Sequence, residues 1–190
     1  MASDALMELI RLVTGALDAE GAAYAVTGSI ASSIHGDPVT SLDVDIVTFL
    51  SPEQAARVAA GVAPRLYADC DMMRRAAAEH RMANVIDGAS GLKVDISVLA
   101  DSAYHREIMR RRVRIAHPET GNAFWVVSPE DTILMKLMWR KDSRSEKQWR
   151  NALSVAKTQG NRLDWTYLWS WAGHLGVLED LESLIREAGT

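Results

Sequence analysis

The chain of 190 residues lacks several features that would assign it to a specialised class of protein. It has one cysteine, which excludes an intrachain disulfide and fits a reducing compartment. No stretch approaches the roughly 18 apolar residues of a membrane-spanning helix, and residues 1–10 lack the basic start and apolar run of a signal peptide. The five histidines form no pair at zinc-ligand spacing. We therefore expect a cytoplasmic protein without a membrane partner or a zinc site.

The composition is that of an ordinary globular protein. Hydrophobic residues make up 48% of the chain and charged residues 24%, a balance that supports one domain with a modest appendage. The formal net charge is −4, and the sequence pI is about 5.7. This acidic balance disfavours general nucleic-acid binding.

Three aspartates in two predicted strands are prominent in the sequence. Residues 43–50 are typical of a strand, and because strand side chains alternate between faces, Asp43 and Asp45 share one face, about 7 Å apart. Residues 92–99 repeat the arrangement, with apolar side chains on one side and Asp95 on the other. If these strands are neighbours, three carboxylates converge. No folding requirement explains such a cluster, whereas a divalent metal ion does.

Magnesium suits such a cluster because it prefers hard oxygen ligands and completes its octahedron with waters and substrate phosphates. Three aspartates can hold one or two ions, about 3.5–4 Å apart, that clamp the attacking and leaving oxygens of a phosphoryl displacement. A calcium-binding loop is excluded, since the flanking residues are β-branched and no glycine and distal glutamate follow at loop spacing.

A glycine–serine pair supplies a second element of the predicted site. Gly28 and Ser29 end the strand-like segment 24–29 and precede residues 30–35, which are typical of a short helix. A glycine turn that opens a helix leaves backbone N–H groups directed at any phosphate that binds there. The pair therefore predicts a phosphate contact.

In this order and spacing, these residues resemble the signature of a known superfamily. Gly28-Ser29, the paired aspartates Asp43 and Asp45, and a third acidic strand carrying Asp95 are similar to the motif of the polymerase-beta-like nucleotidyltransferases. The similarity extends to the C-terminal part, where three segments resemble the helical tail of small bacterial members of that superfamily: 128–139, 145–149 and 163–172. It covers about residues 24–184.

The resemblance implies an enzyme that transfers a nucleoside monophosphate from a nucleoside triphosphate (NTP) to an acceptor and releases pyrophosphate. It implies that Asp43, Asp45 and Asp95 are the catalytic and metal-binding residues, with Mg²⁺ or Mn²⁺ as the cofactor. Asp95 is the candidate to accept the proton of the acceptor hydroxyl. Gly28 and Ser29 are then nucleotide-binding residues.

Lys136 is a further candidate for nucleotide binding. It is the only charge in residues 133–139, on a predicted helix that Ser128 and Pro129 begin. Lysine is rarely buried without an anionic partner, so either this segment leaves a narrow exposed face for it or its side chain points into the acidic cleft. The resemblance favours the cleft, where Lys136 would contact a carboxylate or a triphosphate oxygen.

The sequence leaves the acceptor and one alternative function open. The acceptor is a small molecule, a protein side chain or an RNA end, and homodimerisation or a partner protein is also open. Val39 stands where relatives often carry an arginine. This departure supports an alternative, a nucleotide-binding regulatory or toxin–antitoxin-like module with a weakened or inactive site.

The predicted fold class is α+β, with a small mixed β-sheet nucleotidyltransferase core flanked by helices and followed by a C-terminal helical region. The core spans residues 1–127, and the helical region, residues 128–190, packs on it. The pattern predicts an N-terminal amphipathic helix ending near residue 20, a helix that Ser51 and Gln54 close with a capping box, and two hairpins, over residues 83–99 and 113–127.

Overall fold

The computed structural model describes residues 2–116, 121 and 123–189, with side chains from Asp4 onward except that of Asp142. The chain divides into two compact units: Met1–Thr27 with Ser41–Val126, and Gly28–Thr40 with Val127–Thr190. The second unit thus includes residues 28–40, which the sequence-based boundary assigns to the core. That boundary, after residue 127, stays a prediction. None of the helices within the described ranges combines the length and apolar character needed to cross a bilayer.

The first unit contains helices on one mixed sheet. Its elements are α1 (Ala2–Ala19), β1 (Tyr24–Thr27), β2 (Asp43–Thr48), α3 (Pro52–Val62), α4 (Cys70–Glu79), β3 (Met82–Ile86), β4 (Lys93–Val98), α5 (Ala103–Arg111), β5 (Val113–Ala116) and β6 (Ala123–Val126). Within the described residues the strand order is β3-β4-β2-β1-β6-β5. Strand β2 pairs with β4 in parallel and with β1 in antiparallel, so β2 lies inside the sheet.

The core of the first unit follows from strand alternation. Val44 and Ile46 of β2 and Val94 and Ile96 of β4 are all fully buried. Helix α1 packs against β4 and α3 through an apolar stripe at helical spacing, formed by Leu9, Ile10, Val13 and Leu17. The side chains on the opposite face of β2 and β4 include Asp43, Asp45 and Asp95.

The second unit is helical. Its elements are α2 (Gly28–His35), α6 (Pro129–Ser143), α7 (Glu146–Gln159), a short 3₁₀ turn (Gly160–Arg162), α8 (Trp165–Leu175) and α9 (Leu178–Ala188). Helix α2 packs on α6 and α7, and α8 and α9 complete the unit. Its core is built from aliphatic side chains with no exposed surface: Ile133, Leu134, Leu137, Leu168 and Leu181.

The α+β class and the mixed sheet are confirmed. The capping box of Ser51 and Gln54 is present at the start of α3, and both predicted hairpins pair in antiparallel. Of residues 117–122, which connect the two strands of the second hairpin, only residue 121 is described. The strand predicted over residues 24–29 is two residues too long, because Gly28 has a φ of +66° and begins α2.

Candidate active site

The register of the sheet brings the predicted aspartates onto neighbouring strands. In the parallel pair of β2 and β4, Asp43 is the partner of Lys93 and Asp45 is the partner of Asp95. These side chains point away from the buried Val44, so all of them lie on one face of the sheet. The two aspartate strands are therefore neighbours, which is the condition for the convergence described from the sequence.

A row of polar residues crosses the sheet at this level. Asn84 on β3 is the partner of Asp95, and Thr27 at the end of β1 is the partner of Asp45. The row therefore runs Asn84, Asp95, Asp45, Thr27 over four adjacent strands, about 5 Å apart from strand to strand. A line of oxygen and nitrogen atoms on one sheet face provides several hydrogen-bond and metal ligands in a small area.

Lys93 lies between two of the three carboxylates. Its Nζ donates to Asp95 Oδ2 at 2.9 Å and lies 3.8 Å from Asp43 Oδ2. The hydrogen bond to Asp95 raises the pKa of Lys93 despite partial desolvation, and the charges of Asp95, Asp43 and Asp45 add to this effect. The lysine is therefore a cation at neutral pH.

Asp95 is the most enclosed of these acidic groups, with its side chain 11% exposed against 49% for Asp43. Asn84 Nδ2 donates to Asp95 Oδ1, while Lys93 donates to Oδ2. Both carboxylate oxygens of Asp95 thus accept a hydrogen bond from a neighbouring side chain. Two donors from adjacent positions fix the orientation of this carboxylate.

The donor set of this face fits a hard divalent cation. Carboxylate oxygens are the ligands that Mg²⁺ and Mn²⁺ prefer, and one cationic atom, Lys93 Nζ, already lies within 4 Å of oxygens of both Asp43 and Asp95. Among the described residues, no group of three or more His, Cys, Asp or Glu side chains is arranged to hold a metal ion. Metal ligation by Asp43, Asp45 and Asp95 therefore stays a prediction.

Gly28 and Ser29 belong to the second unit, at the start of α2. Gly28 has left-handed backbone geometry, φ +66°, which L side chains adopt only with strain. Ser29 is buried, and its carbonyl accepts a hydrogen bond from Ser33 Oγ at 3.0 Å. The glycine turn that the sequence predicts is present, and its role in phosphate binding stays a prediction.

Lys136 also belongs to the second unit and is 2% exposed. The alternative of a narrow exposed face is therefore wrong. Its Nζ lies 5.0 Å from the centroid of the Trp139 ring, at cation–π distance. Helix α6 also buries two carboxylates, Glu130 and Asp131. Glu130 Oε1 accepts from the backbone N–H of Asp164, at 2.9 Å.

Two other residues that follow Gly28 and Ser29 closely in the chain have local partners within the second unit. His35 Nε2–H donates to the carbonyl of Val127 at 2.8 Å, and burial lowers the pKa of His35. Val39 exchanges hydrogen bonds with Ser33 through its backbone N–H and carbonyl.

Sequence reasoning missed Lys93 and Asn84. Lys93 stands two residues before Asp95, so strand alternation alone places both on one face. Asn84 lies on the other strand of the predicted hairpin, and its pairing with Asp95 depends on the hairpin register. That register is set by the turn between the strands, which the sequence pattern leaves undefined.

Solved structures resemble this chain in fold. The solution structure of the antibiotic-resistance factor ANT(2″)-Ia, a nucleotidyltransferase, aligns with a TM-score of 0.59 over 96% of this chain and 99% of its own, at 13% sequence identity. The chain has a nucleotidyltransferase fold. At this identity the likeness concerns the fold alone.

Two further solved structures align with TM-scores below 0.5, and the fold assignment does not rest on them. One is a candidate nucleotidyltransferase from Thermotoga maritima, TM1012, at a TM-score of 0.48 and 17% identity, over 80% of this chain and 96% of its own. The other is an antigenic nucleotidyltransferase-like protein from Paracoccidioides brasiliensis. It aligns with a TM-score of 0.49 and 16% sequence identity, over 93% of this chain and 90% of its own. No family model and no curated protein matches the sequence.

Proposed function

We propose that this chain is a metal-dependent nucleotidyltransferase that transfers a nucleoside monophosphate from an NTP to an acceptor. The observation that carries the proposal is the register of β2 and β4, which pairs Asp45 with Asp95 and leaves Asp43 on the same face. The nucleotidyltransferase fold supports it. Clustered carboxylates repel one another, so their alignment calls for a cationic partner.

In this proposal Asp43 and Asp45 hold the nucleotide-bound Mg²⁺ or Mn²⁺, and Asp95 lies on the side of the acceptor. When bound, the metal neutralises charge on the reacting oxygens of the phosphoryl group. The backbone N–H groups of Gly28 and Ser29 bind the phosphate tail. Lys136 contributes a positive charge to triphosphate binding.

The reaction is an in-line displacement at the α-phosphorus. The acceptor oxygen forms a bond to the α-phosphorus while the bond from this phosphorus to the bridging oxygen breaks. The electron pair of that bond leaves with pyrophosphate. The proton of the acceptor hydroxyl passes to the carboxylate of Asp95, which acts as the general base. Lys93 and Asn84 orient this carboxylate for the transfer.

A second candidate function is a regulatory or toxin–antitoxin-like module that binds nucleotide without turnover. Val39 favours it, because its aliphatic side chain cannot make the phosphate or carboxylate contact of an arginine. Such a module would bind an NTP with Mg²⁺ and release no pyrophosphate with any acceptor. Pyrophosphate release therefore separates the two functions.

The test is mass spectrometry of candidate acceptors after incubation with each NTP and Mg²⁺ or Mn²⁺. The acceptors are small molecules, the protein itself and RNA; antibiotics are included because the structural neighbour ANT(2″)-Ia is an antibiotic-resistance factor. We expect the acceptor to gain the mass of one nucleoside monophosphate and one pyrophosphate to be released for each transfer. Both products should be absent with Asp45→Asn. Release of inorganic phosphate instead would indicate γ-phosphoryl chemistry and contradict the proposal.

A further inference from the structure

Lys93 completes a four-residue arrangement on the sheet face. Asp43 and Lys93 form one cross-strand pair of β2 and β4, and Asp45 and Asp95 form another, two residues further along both strands. The four side chains therefore stand at the corners of a rectangle about 5 Å by 7 Å. Three corners carry carboxylates and the fourth carries an ammonium group.

The ammonium group bridges one diagonal of this rectangle. Lys93 Nζ contacts Asp95 Oδ2 at 2.9 Å and Asp43 Oδ2 at 3.8 Å. It is thus placed where a cation shared by the carboxylates of the two strands would lie. With Lys93 counted, the four corners carry two net negative charges, which a single divalent ion neutralises.

Asp95 has few oxygen positions left for an ion of its own. Its Oδ1 accepts from Asn84, its Oδ2 accepts from Lys93, and its side chain is 11% exposed. A metal ion bound to Asp95 would lie close to the ammonium group of Lys93, whose positive charge repels it. A carboxylate oxygen has a second lone pair, so Asp95 can still accept a proton while both hydrogen bonds persist.

We propose that Lys93 is a resident cation that takes the place of a second divalent ion beside Asp95, so that the site holds one divalent ion for each bound nucleotide. The inference rests on the proposed function and specifies its metal requirement. Asp43 and Asp45 hold the single ion, and Lys93 provides the positive charge on the acceptor side. Asn84 is a positioning residue that keeps the Asp95 carboxylate turned toward Lys93.

Equilibrium dialysis of the full chain against Mn²⁺ and a non-hydrolysable analogue of each NTP tests this inference. Bound manganese and bound nucleotide are both counted, so the readout is a ratio and does not depend on turnover. We expect one bound manganese ion per bound nucleotide in the native chain. In Lys93→Ala we expect two, because removal of the ammonium group frees an oxygen of Asp95 and leaves room for a second ion.

Two further variants serve as controls. Lys93→Arg keeps a cation at this corner and should keep the ratio at one. Lys157→Ala removes an exposed lysine of α7 and should also leave the ratio at one. Circular dichroism of each variant checks that the fold is retained.

A ratio of two in the native chain would overturn the inference, and this result does not depend on any variant folding. A ratio of one in a folded Lys93→Ala variant would overturn it as well. Either outcome leaves the proposed function intact. In contrast, absence of nucleotide and manganese binding in the native chain with every analogue would overturn the proposed function itself.

Discussion

Asp45 and Asp95 are direct partners in the parallel pairing of β2 and β4. Their Cα atoms are therefore about 5 Å apart, with both carboxylates on the face opposite the buried Val44 and Ile46. Two carboxylates in direct cross-strand contact destabilise a sheet unless a cation or a donor offsets their repulsion. Lys93 is one such cation.

Gly28 is expected to tolerate few substitutions because its φ is +66°. Gly28→Val places a β-branched residue in left-handed geometry, at a cost of about 1–2 kcal/mol, and should weaken NTP binding more than Ser29→Ala. Calorimetric titration with NTP and Mg²⁺ measures both effects. Gly28→Asn separates backbone strain from nucleotide binding, because asparagine tolerates this φ but still adds a side chain. If this variant has a normal melting temperature and full NTP affinity, the predicted close approach of the nucleotide to the backbone at Gly28 is wrong.

Lys136→Met tests whether this buried lysine binds nucleotide. Methionine fills a similar volume without the charge, so loss of a charged hydrogen bond should raise the Kd for NTP about tenfold or more. Intrinsic tryptophan fluorescence, to which Trp139 beside Lys136 contributes, reports on binding in the native chain, and calorimetry compares the variants. Lys157→Met is the matched control. A change in melting temperature with an unaltered Kd would assign Lys136 a structural role.

Gly36→Ala should destabilise the second unit. A Cβ atom at Gly36 would lie 2.6 Å from Ser154 Oγ and 2.9 Å from the backbone nitrogen of Val155. Overpacking of this kind costs about 1–3 kcal/mol, measured as the free energy of unfolding in urea. Gly15→Ala is the control, because a Cβ there meets nothing within 4 Å in α1 and should be neutral or stabilising. Equal stability of both variants would contradict this packing.

His35 should make stability depend on pH. Burial lowers its pKa below the ordinary 6.5, while the hydrogen bond to Val127 and the charge of Glu130 act in the opposite direction. Near pH 6.5 the unfolded chain therefore binds a proton at His35 while His35 of the folded chain stays neutral. The stabilisation of the folded state by neutral His35 is complete above this pH and is lost as the pH falls below it.

We therefore expect the free energy of unfolding to fall between pH 7 and 5 less steeply in His35→Gln than in the native chain. His174→Gln, which replaces an exposed histidine, should follow the native slope. Identical slopes in all three proteins would show that His35 does not titrate on unfolding.

The sequence was sufficient to predict the parts of the fold that rest on local patterns. Alternation in β2 and β4 predicted which side chains are buried and which face carries Asp43, Asp45 and Asp95, and Ser51 predicted the start of α3. Helix α5 was not predicted, although Ser102 caps it, because its sequence is rich in arginine and has a short apolar stripe.

The contacts inside the candidate site depend on register and could not be predicted. The hydrogen bond from Asn84 to Asp95 requires a defined hairpin turn, and the bridge from Lys93 to Asp43 requires the exact parallel register of two strands that are distant in sequence. A slip of one residue would move these side chains to the opposite face. The alternation of residues along a strand specifies the sheet face on which a side chain lies. Its contact partner on the next strand is set by the register of the folded sheet.

The most direct test of the account is calorimetric titration of the native chain and of Asp43→Asn and Asp45→Asn with each NTP, with and without Mg²⁺. Asparagine keeps the shape of the side chain and removes its charge. We expect Mg²⁺-dependent binding in the native chain and at least tenfold weaker binding in both variants, with unchanged circular dichroism. Unchanged Mg²⁺-dependent NTP affinity in both variants would contradict the assignment of these aspartates as metal ligands.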